Sequence, residues 1–239
     1  FGVLLIAVPK GVPGRYLSGI FLSALVFFPL TPIRPGQFHF TLLDVGQGLS
    51  AVVRTASHTL LFDTGDGFGQ FSAGDSVVLP YLNYKGVKKI DVLILSHTDK
   101  DHVGGFQAIA QEMPIGQILA GIPMPQLTRA YSLCQADQVW EWDGVVFEIL
   151  HPSEHAFAKE NNLSCVLKVS NRHHSVLLAA DIEAEAEAYL IEKYPAKLQS
   201  EILVAPHHGS KTSSSDPWVA EVRAKWVLMP VGYRNRFKH

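Results

Sequence analysis

Two histidines and two aspartates, His97, Asp99, Asp101 and His102, crowd into six positions of the segment SHTDKDHVGG, which continues the apolar run IDVLIL. Neutral imidazole and carboxylate are the donors that Zn²⁺, Mn²⁺ and Fe²⁺ accept. Side chains two apart on an extended segment project the same way. His97, Asp99 and Asp101 are therefore placed to share one face, and the following turn swings His102 beside them. Gly104 and Gly105 allow a tight entry into a helix.

Two more strand ends offer the same chemistry. Asp181 closes the run SVLLAAD, and His207 and His208 follow the run SEILVAP. Three strand ends are thus expected to converge on one cleft. A carboxylate there can bridge two cations about 3.5–4 Å apart, as in two-metal hydrolysis of phosphoryl and acyl groups, and Asp181 suits that role. Only one of the adjacent histidines need face the cleft; His207 is taken as the ligand and His208 as the alternate. Asp63, in LLFDTGD, ends another strand and is expected to hold a ligand histidine by its second ring nitrogen. The chain has no G-x-S-x-G elbow to present a serine nucleophile, so activated water is the expected nucleophile.

The elements that must position these residues are legible as short β runs and helical periods. FHFTLLDV (38–45), SAVVRT (50–55) and HTLLFDTG (58–65) are β-branched or aromatic and separated by Gly- or Ser-containing turns, which predicts an opening β-meander. GDSVVLPYLNYKG (74–86) spaces Val77, Val78, Tyr81 and Leu82 as a helix, with Asp75 or Ser76 as cap and Gly86 as stop. After the motif turn a helix is expected from near Val103 towards Glu112. GVVFEIL (144–150), LSCVLKVS (163–170), SVLLAAD (175–181), SEILVAP (200–206) and KWVLMPV (225–231) read as strands. IEAEAEAYLIEKY (182–194) and DPWVAEVRA (216–224) read as helices, the EAEAEA stretch being the solvated face of the first. This order predicts an α/β fold of two sheets with helices outside, an αββα sandwich.

The composition narrows the function classes. With 20 Lys+Arg against 22 Asp+Glu, a formal net charge of −2 provides no strong basic field, so any nucleic-acid contact must be local. Cys134 and Cys165 lie far apart without metal-type spacing and read as buried thiols of a reducing compartment. Phe1 opens the sequence and no methionine precedes Met113, so a piece of a longer chain is expected. Residues 1–9 and 16–30 are apolar, but each run is shorter than the roughly 17–25 residues of a spanning helix. Lys10 and Arg15 lie between them, and TPIRPG closes the segment as a linker. The expected division is a membrane-proximal apolar segment, 1–36, and a hydrolase domain, 37–239.

HTDKDH resembles the HxHxDH signature of the metallo-β-lactamase superfamily, with Asp99 where the second histidine usually stands, and LLFDTG, LLAAD and PHHGS are similar to its further motifs in the same order. LLDVGQGLSAVVRT, VVLPYLNYKGVKKIDVLILSHTDKDHVGG and APHHGSKTSSS are more closely similar to the carboxy-terminal hydrolase domain of the ComEC competence family, from about Phe38 to the end. The resemblance implies a metallo-β-lactamase sandwich truncated at its carboxy terminus, following the last part of a membrane channel in the bacterial inner membrane. It implies two divalent ions, Zn²⁺ or Mn²⁺. His97 and Asp99 would serve one, Asp101 and His102 the other, with Asp181 bridging and His207 completing a shell. Catalysis is expected to rest on Asp101 and Asp63.

One departure stands out: the superfamily's further histidine before the bridging aspartate is replaced by KENNLSCVL, which offers Asn161, Asn162 and Ser164, with His151 as a substitute from another strand end. Asn235 and His239 match an N-x-Y/F-x-H segment of the family, and Lys100 and Lys211, with Arg234, Arg236 and Lys238, lie where they could contact phosphates. The implied activity is a nuclease that degrades the non-transported strand of incoming DNA. Its implied partners are the DNA, the channel region of the same full-length chain and other competence DNA-uptake proteins. A metallohydrolase of small phosphodiesters and a catalytically silent domain that gates the channel are the competing readings.

Overall fold

The computed structural model describes residues 2–9, 15–27, 32–69, 71–127, 129–153, 155 and 157–232. The chain divides into two compact units, Phe1–Pro32 and Ile33–His239. The first holds helices α1 (Gly2–Ala7) and α2 (Leu17–Phe27). At 1.5 Å per residue α2 rises only ~16 Å, against a hydrocarbon core of about 30 Å. Among the described residues no helix is long and apolar enough to cross a membrane.

The second unit contains two six-stranded sheets and a small hairpin. The first sheet runs in the order β1 (His39–Leu42), β2 (Ala51–Arg54), β3 (Thr59–Phe62), β6 (Ile90–Leu95), β7 (Ile115–Ala120), β8 (Ser132–Leu133). The hairpin is β4 (Gly67–Phe68) with β5 (Phe71–Ser72). The second sheet runs β14 (Trp226–Leu228), β13 (Ile202–Val204), β12 (Ser175–Leu178), β11 (Val166–Ser170), β10 (Val145–His151), β9 (Val139–Trp142). The expected meander is β1–β2–β3, antiparallel throughout. β3 and β6 are parallel, as are β12 and β13, so each pair delivers its carboxyl ends to one edge.

Alternation along the strands builds the layers. On β6, Val92 and Ile94 enter the core between the sheets with Leu60, Phe62, Phe147, Leu167 and Val204. Leu93 and Leu95 face the opposite way, into a core with α3 (Leu79–Tyr84) and α5 (Phe106–Glu112) through Leu82, Phe106 and Ile109. The outer face of the second sheet packs Leu177 and Leu203 against α6 (Ala184–Lys193), α7 (Pro195–Leu198) and α8 (Asp216–Val222), where Leu190, Leu198, Trp218 and Val222 are fully buried. Each such side chain contributes about 1.5–3 kcal/mol on burial. Three apolar cores between four layers are the expected αββα sandwich.

Four local expectations change. Pro80 has no N–H to give to the carbonyl of Ser76, and Gly74–Val78, ahead of α3, forms a wider π-helical turn. The helix expected from Val103 starts earlier, as α4 (Lys100–Val103), and restarts as α5 after Gly104 and Gly105. These glycines are needed for close approach: a Cβ on Gly104 would lie 2.1 Å from the Gly67 nitrogen, and one on Gly105 2.3 Å from the Thr64 carbonyl oxygen. The EAEAEA face is not wholly solvated, for Glu187 is fully buried and accepts the Ser214 and Ser215 N–H groups at 2.6 and 2.9 Å, tying α6 to the start of α8. Finally, Cys134 and Cys165 are not free thiols but a disulfide with Cα atoms 6.0 Å apart. Their 31-residue separation in sequence concealed that β8 and β11 bring them together between the sheets.

Candidate metal centre

The turn after β6 is fixed before any ion is considered. Asp63, just after β3, donates its N–H to the Ile94 carbonyl (2.8 Å), which locks the two strand ends together. Its fully buried carboxylate accepts three hydrogen bonds: from the Ser96 N–H (2.7 Å), the Ser96 hydroxyl (2.7 Å) and the His102 Nδ1–H (2.8 Å). Because the Ser96 hydroxyl donates to Asp63, it accepts from His97 Nδ1–H at 3.0 Å. His208 Nδ1 lies 2.9 Å from the Pro230 carbonyl, an oxygen that can only accept. All three imidazoles thus carry a proton on Nδ1, and each in its neutral form presents a lone pair on Nε2.

Those Nε2 atoms converge. Nε2 of His102 and of His208 are 3.1 Å apart, an unfavourable meeting of lone pairs unless a proton or a cation lies between. Asp181 stands among them: Oδ1 is 3.1 Å from His102 Nε2 without the alignment of a hydrogen bond, and Oδ2 is 3.4 Å from His208 Nε2 and 4.0 Å from His97 Nε2. Asp99 Oδ2 is 3.4 Å from His97 Nε2, and Asp101 Oδ2 is 3.2 Å from His208 Nε2. Among the described residues two overlapping groups have all donor atoms within 4.8 Å of one another: His97, His102 and Asp181; and Asp101, His102 and His208.

The donor set fits divalent cations. Among the described residues His97 Nε2 and Asp181 Oδ1 are buried without a hydrogen-bond partner, a costly state that an ion removes. Burial alone would raise the Asp181 carboxyl, yet the facing His102 and His208 hold it well below the usual carboxylate range. Burial would likewise depress His102, but Asp181 and Asp63 raise it well above 6.5, and Asp101 and Asp181 carry His208 to about 9 against the same penalty. The site is a sink for positive charge. His97 and His102 are fully buried, whereas the Asp99 and Asp101 side chains are 55% and 29% exposed, so these two carboxylates stand on the solvent side of the cluster.

The structure rearranges some of the expected roles. His208 rather than His207 joins the grouped donors; His207 lies at the rim, one quarter exposed, with Nε2 3.8 Å from Asp181 and Nδ1 3.1 Å from the Thr212 hydroxyl. Asp63 is shielded from any substrate and acts through Ser96 and His102 as a positioning residue. Asn162 uses both ends of its amide in the fold, accepting the Glu183 N–H at 2.7 Å and donating to Glu185 at 3.2 Å. Ser164 keeps a buried hydroxyl without a hydrogen-bond partner among the described residues. His151 is buried away from the cluster, its Nε2 bonded to the Asn162 carbonyl at 2.6 Å. Lys100 and Lys211 are exposed and form no ion pair among the described residues. Asn235 and His239, with Arg234, Arg236 and Lys238, lie outside the described residues. Sequence reasoning missed Ser96, although its place between the strand and His97 was a visible cue.

Residues 43–225 match the family model described as the metallo-beta-lactamase superfamily. Competence protein ComA of Neisseria gonorrhoeae is 39% identical over 236 residues, 99% of this chain and 33% of that protein. Recombination protein 2 of Haemophilus influenzae is 31% identical over 224 residues, 94% of this chain and 28% of that protein. The chain therefore spans a third or less of the length of these relatives. Among solved structures, the metallo-beta-lactamase fold protein YhfI of Bacillus subtilis superposes with a TM-score of 0.53 at 15% identity, covering 81% of this chain and 86% of that one, a likeness of fold alone.

Proposed function

The chain belongs to the metallo-β-lactamase superfamily, and from that premise we propose that it is a divalent-cation-dependent phosphodiester hydrolase, a nuclease that serves DNA uptake by degrading the strand that is not transported. The observation that carries the reading is the convergence of three oriented Nε2 atoms on the Asp181 carboxylate, His102 on Oδ1 and His208 and His97 on Oδ2. Similarity to a competence protein and a recombination protein supports DNA as the substrate. Asp101, His102, Asp181 and His208 would hold one cation, and His97, Asp99 and Asp181 a second. Such cations supply Lewis acidity that makes water nucleophilic near neutral pH and offsets phosphate charge. A donor set with three carboxylates suits Mn²⁺ as well as Zn²⁺.

The chain's own residues orient and exclude. Asp63 and Ser96 fix the imidazoles of His102 and His97, and the buried walls keep bulk water from the inner donors. Lys100, on the exposed start of α4, would meet a flanking phosphate. In the whole protein the partners would be the DNA, a channel region of the same longer chain in the inner membrane and other uptake proteins. Purified protein with Mn²⁺ or Zn²⁺ should cleave single-stranded DNA and lose this activity in EDTA. Hydrolysis of a chromogenic phosphodiester without DNA cleavage would redirect the substrate assignment, and no turnover of either with bound metal would overturn the hydrolase reading.

A further inference from the structure

The Cys134–Cys165 disulfide lies against the frame of the candidate metal centre. Cys165 donates its N–H to the carbonyl of Ser96 at 3.1 Å, the same serine whose hydroxyl links Asp63 and His97. Cys134 donates its N–H to Ala120 at 2.8 Å, and the next residue, Gly121, donates to Leu95 at 3.0 Å. A Cβ on Gly121 would lie 1.9 Å from the Ser96 oxygen, 2.9 Å from the Leu163 oxygen and 3.0 Å from the Cys165 nitrogen, so residues 163–165 press directly on the end of β6.

The segment anchored by Cys165 also spans the centre. Glu160 accepts the Thr98 hydroxyl at 3.0 Å, inside the motif turn. Asn162 accepts the Glu183 N–H at 2.7 Å, two residues beyond Asp181. Ser164, next to the cysteine, holds its buried hydroxyl, which has no hydrogen-bond partner among the described residues. One short segment thus ties the 96–102 turn to the Asp181 loop, and its carboxyl end is fixed covalently to the other sheet. A cleft of about 710 Å³, lined by Gly121, Cys134, Ala136, Leu163 and Tyr189 among others, borders Cys134, whereas Cys165 is fully buried.

We propose that the Cys134–Cys165 disulfide is a redox-dependent positioning element of the metal centre, holding residues 160–165 across the motif turn and Asp181. Opening proceeds by thiol–disulfide exchange with an external dithiol. Its thiolate attacks one sulfur, its second sulfur closes the reagent to its own disulfide, and Cys134 and Cys165 emerge as two thiols carrying the dithiol's two protons. The freed segment loosens its hold on Ser96, Thr98 and Glu183, and cation binding weakens. The centre is then strongest in surroundings where disulfides persist, and weakened among cytosolic thiols.

This rests on the metal-centre reading, and Mn²⁺ binding to the 239-residue chain tests both. Affinity is measured from the EPR signal of free Mn²⁺ for three samples: the oxidised chain, the chain reduced with dithiothreitol and desalted anaerobically with two thiols confirmed by titration, and the double variant Cys134→Ser/Cys165→Ser. The expected result is a roughly 10-fold weaker affinity in the reduced and variant samples, at the low end of the effect of outer partners on metal sites, with unchanged near-UV circular dichroism. Affinities within twofold of the oxidised chain would overturn the proposal. Loss of near-UV signal in both altered samples would also overturn it, because the bond would then be a general staple of the fold. An oxidised chain that binds no Mn²⁺ would overturn the metal-centre reading and the proposal together.

Discussion

Replacing Asp63 by Asn separates positioning from ligation, because Asp63 lies behind the imidazole and not on the open face of the centre. Its carboxylate meets three donors, the Ser96 N–H, the Ser96 hydroxyl and the His102 Nδ1–H. An amide must turn its NH₂ towards one side. It cannot face the Ser96 N–H, since a backbone donor has no alternative proton arrangement. The NH₂ therefore takes the place of Oδ2, where the Ser96 hydroxyl can rotate but His102 must move its proton from Nδ1 to Nε2. That proton would occupy the lone pair aimed at Asp181 and His208. Changes to such outer partners cost 10–100-fold in metal affinity; a value near 30-fold corresponds to about 2 kcal/mol. At a free Mn²⁺ concentration 100 times the wild-type Kd, binding stabilises the wild type by about 2.7 kcal/mol and the variant by about 0.9 kcal/mol. For a chain of this size the Mn²⁺-dependent rise in Tm should fall from about 5–10 °C to about 2–4 °C. Thermal melts with Mn²⁺ and with EDTA give these differences directly. An undiminished rise in Asp63→Asn, alongside its loss in Asp101→Ala, would refute the orientation argument.

The other expectations are narrower. His208→Ala should weaken Mn²⁺ binding by more than about 100-fold, beyond the range for outer partners, whereas His207→Ala at the rim should stay within about fivefold; equal losses in the two titrations would remove the distinction between the neighbours. His151, buried and held neutral, has its pKa depressed from 6.5 to about 4, mainly by burial and against the bond to the Asn162 carbonyl. The unfolded chain therefore protonates first as pH falls, so stability present above pH 6.5 is lost towards pH 4, by about 3 kcal/mol at most. Urea melts of His151→Phe should show a pH dependence shallower by this amount between those limits, and identical slopes would show that the residue is not the acid-sensitive group. Gly48→Ala places a Cβ 2.3 Å from the Asp101 carbonyl oxygen at a φ of +133°; an expected loss of about 2–4 kcal/mol, read as a fall in Tm, is contradicted by a melt that matches wild type.

What could be read from the sequence was what depends on local period. The meander, the four layers and the motif turn follow from alternation and from the apolar runs that end at Asp63, Ser96 and Asp181. Choosing between His207 and His208 was beyond such reasoning, because both residues adopt left-handed backbone, with φ of 49° and 55°, and leave the alternating geometry on which a facing argument relies. The disulfide depends on tertiary pairing between different sheets, and Glu187 is buried because a neighbouring helix start needs an acceptor. Neither requirement leaves a periodic mark. Strands β7 to β9 were not read as elements at all, although β7 lies beside β6 at the centre of the first sheet; its sequence, IGQILA, has a glycine and a glutamine within its first three residues.

The left-handed residues also connect the fold to its chemistry. Asp63, Ala180, His207 and His208 all have φ between 47° and 56°, and all lie just past the carboxyl ends of β3, β12 and β13. Each non-glycine residue in this region costs of order 1–3 kcal/mol. Glycine would relieve that cost but would delete the Asp63 side chain that orients His102 and the His208 imidazole that joins the donors. The turns are held closed by neighbouring strand ends instead: the Asp63 N–H binds Ile94, and the His207 N–H binds the carbonyl of Ala180 at 2.8 Å. Each of those partners belongs to a strand, or the end of one, seated in the core between the sheets. The three apolar layers thus stabilise conformations that the local sequence disfavours, and those conformations turn carboxylate and imidazole donors of separate strands towards one point.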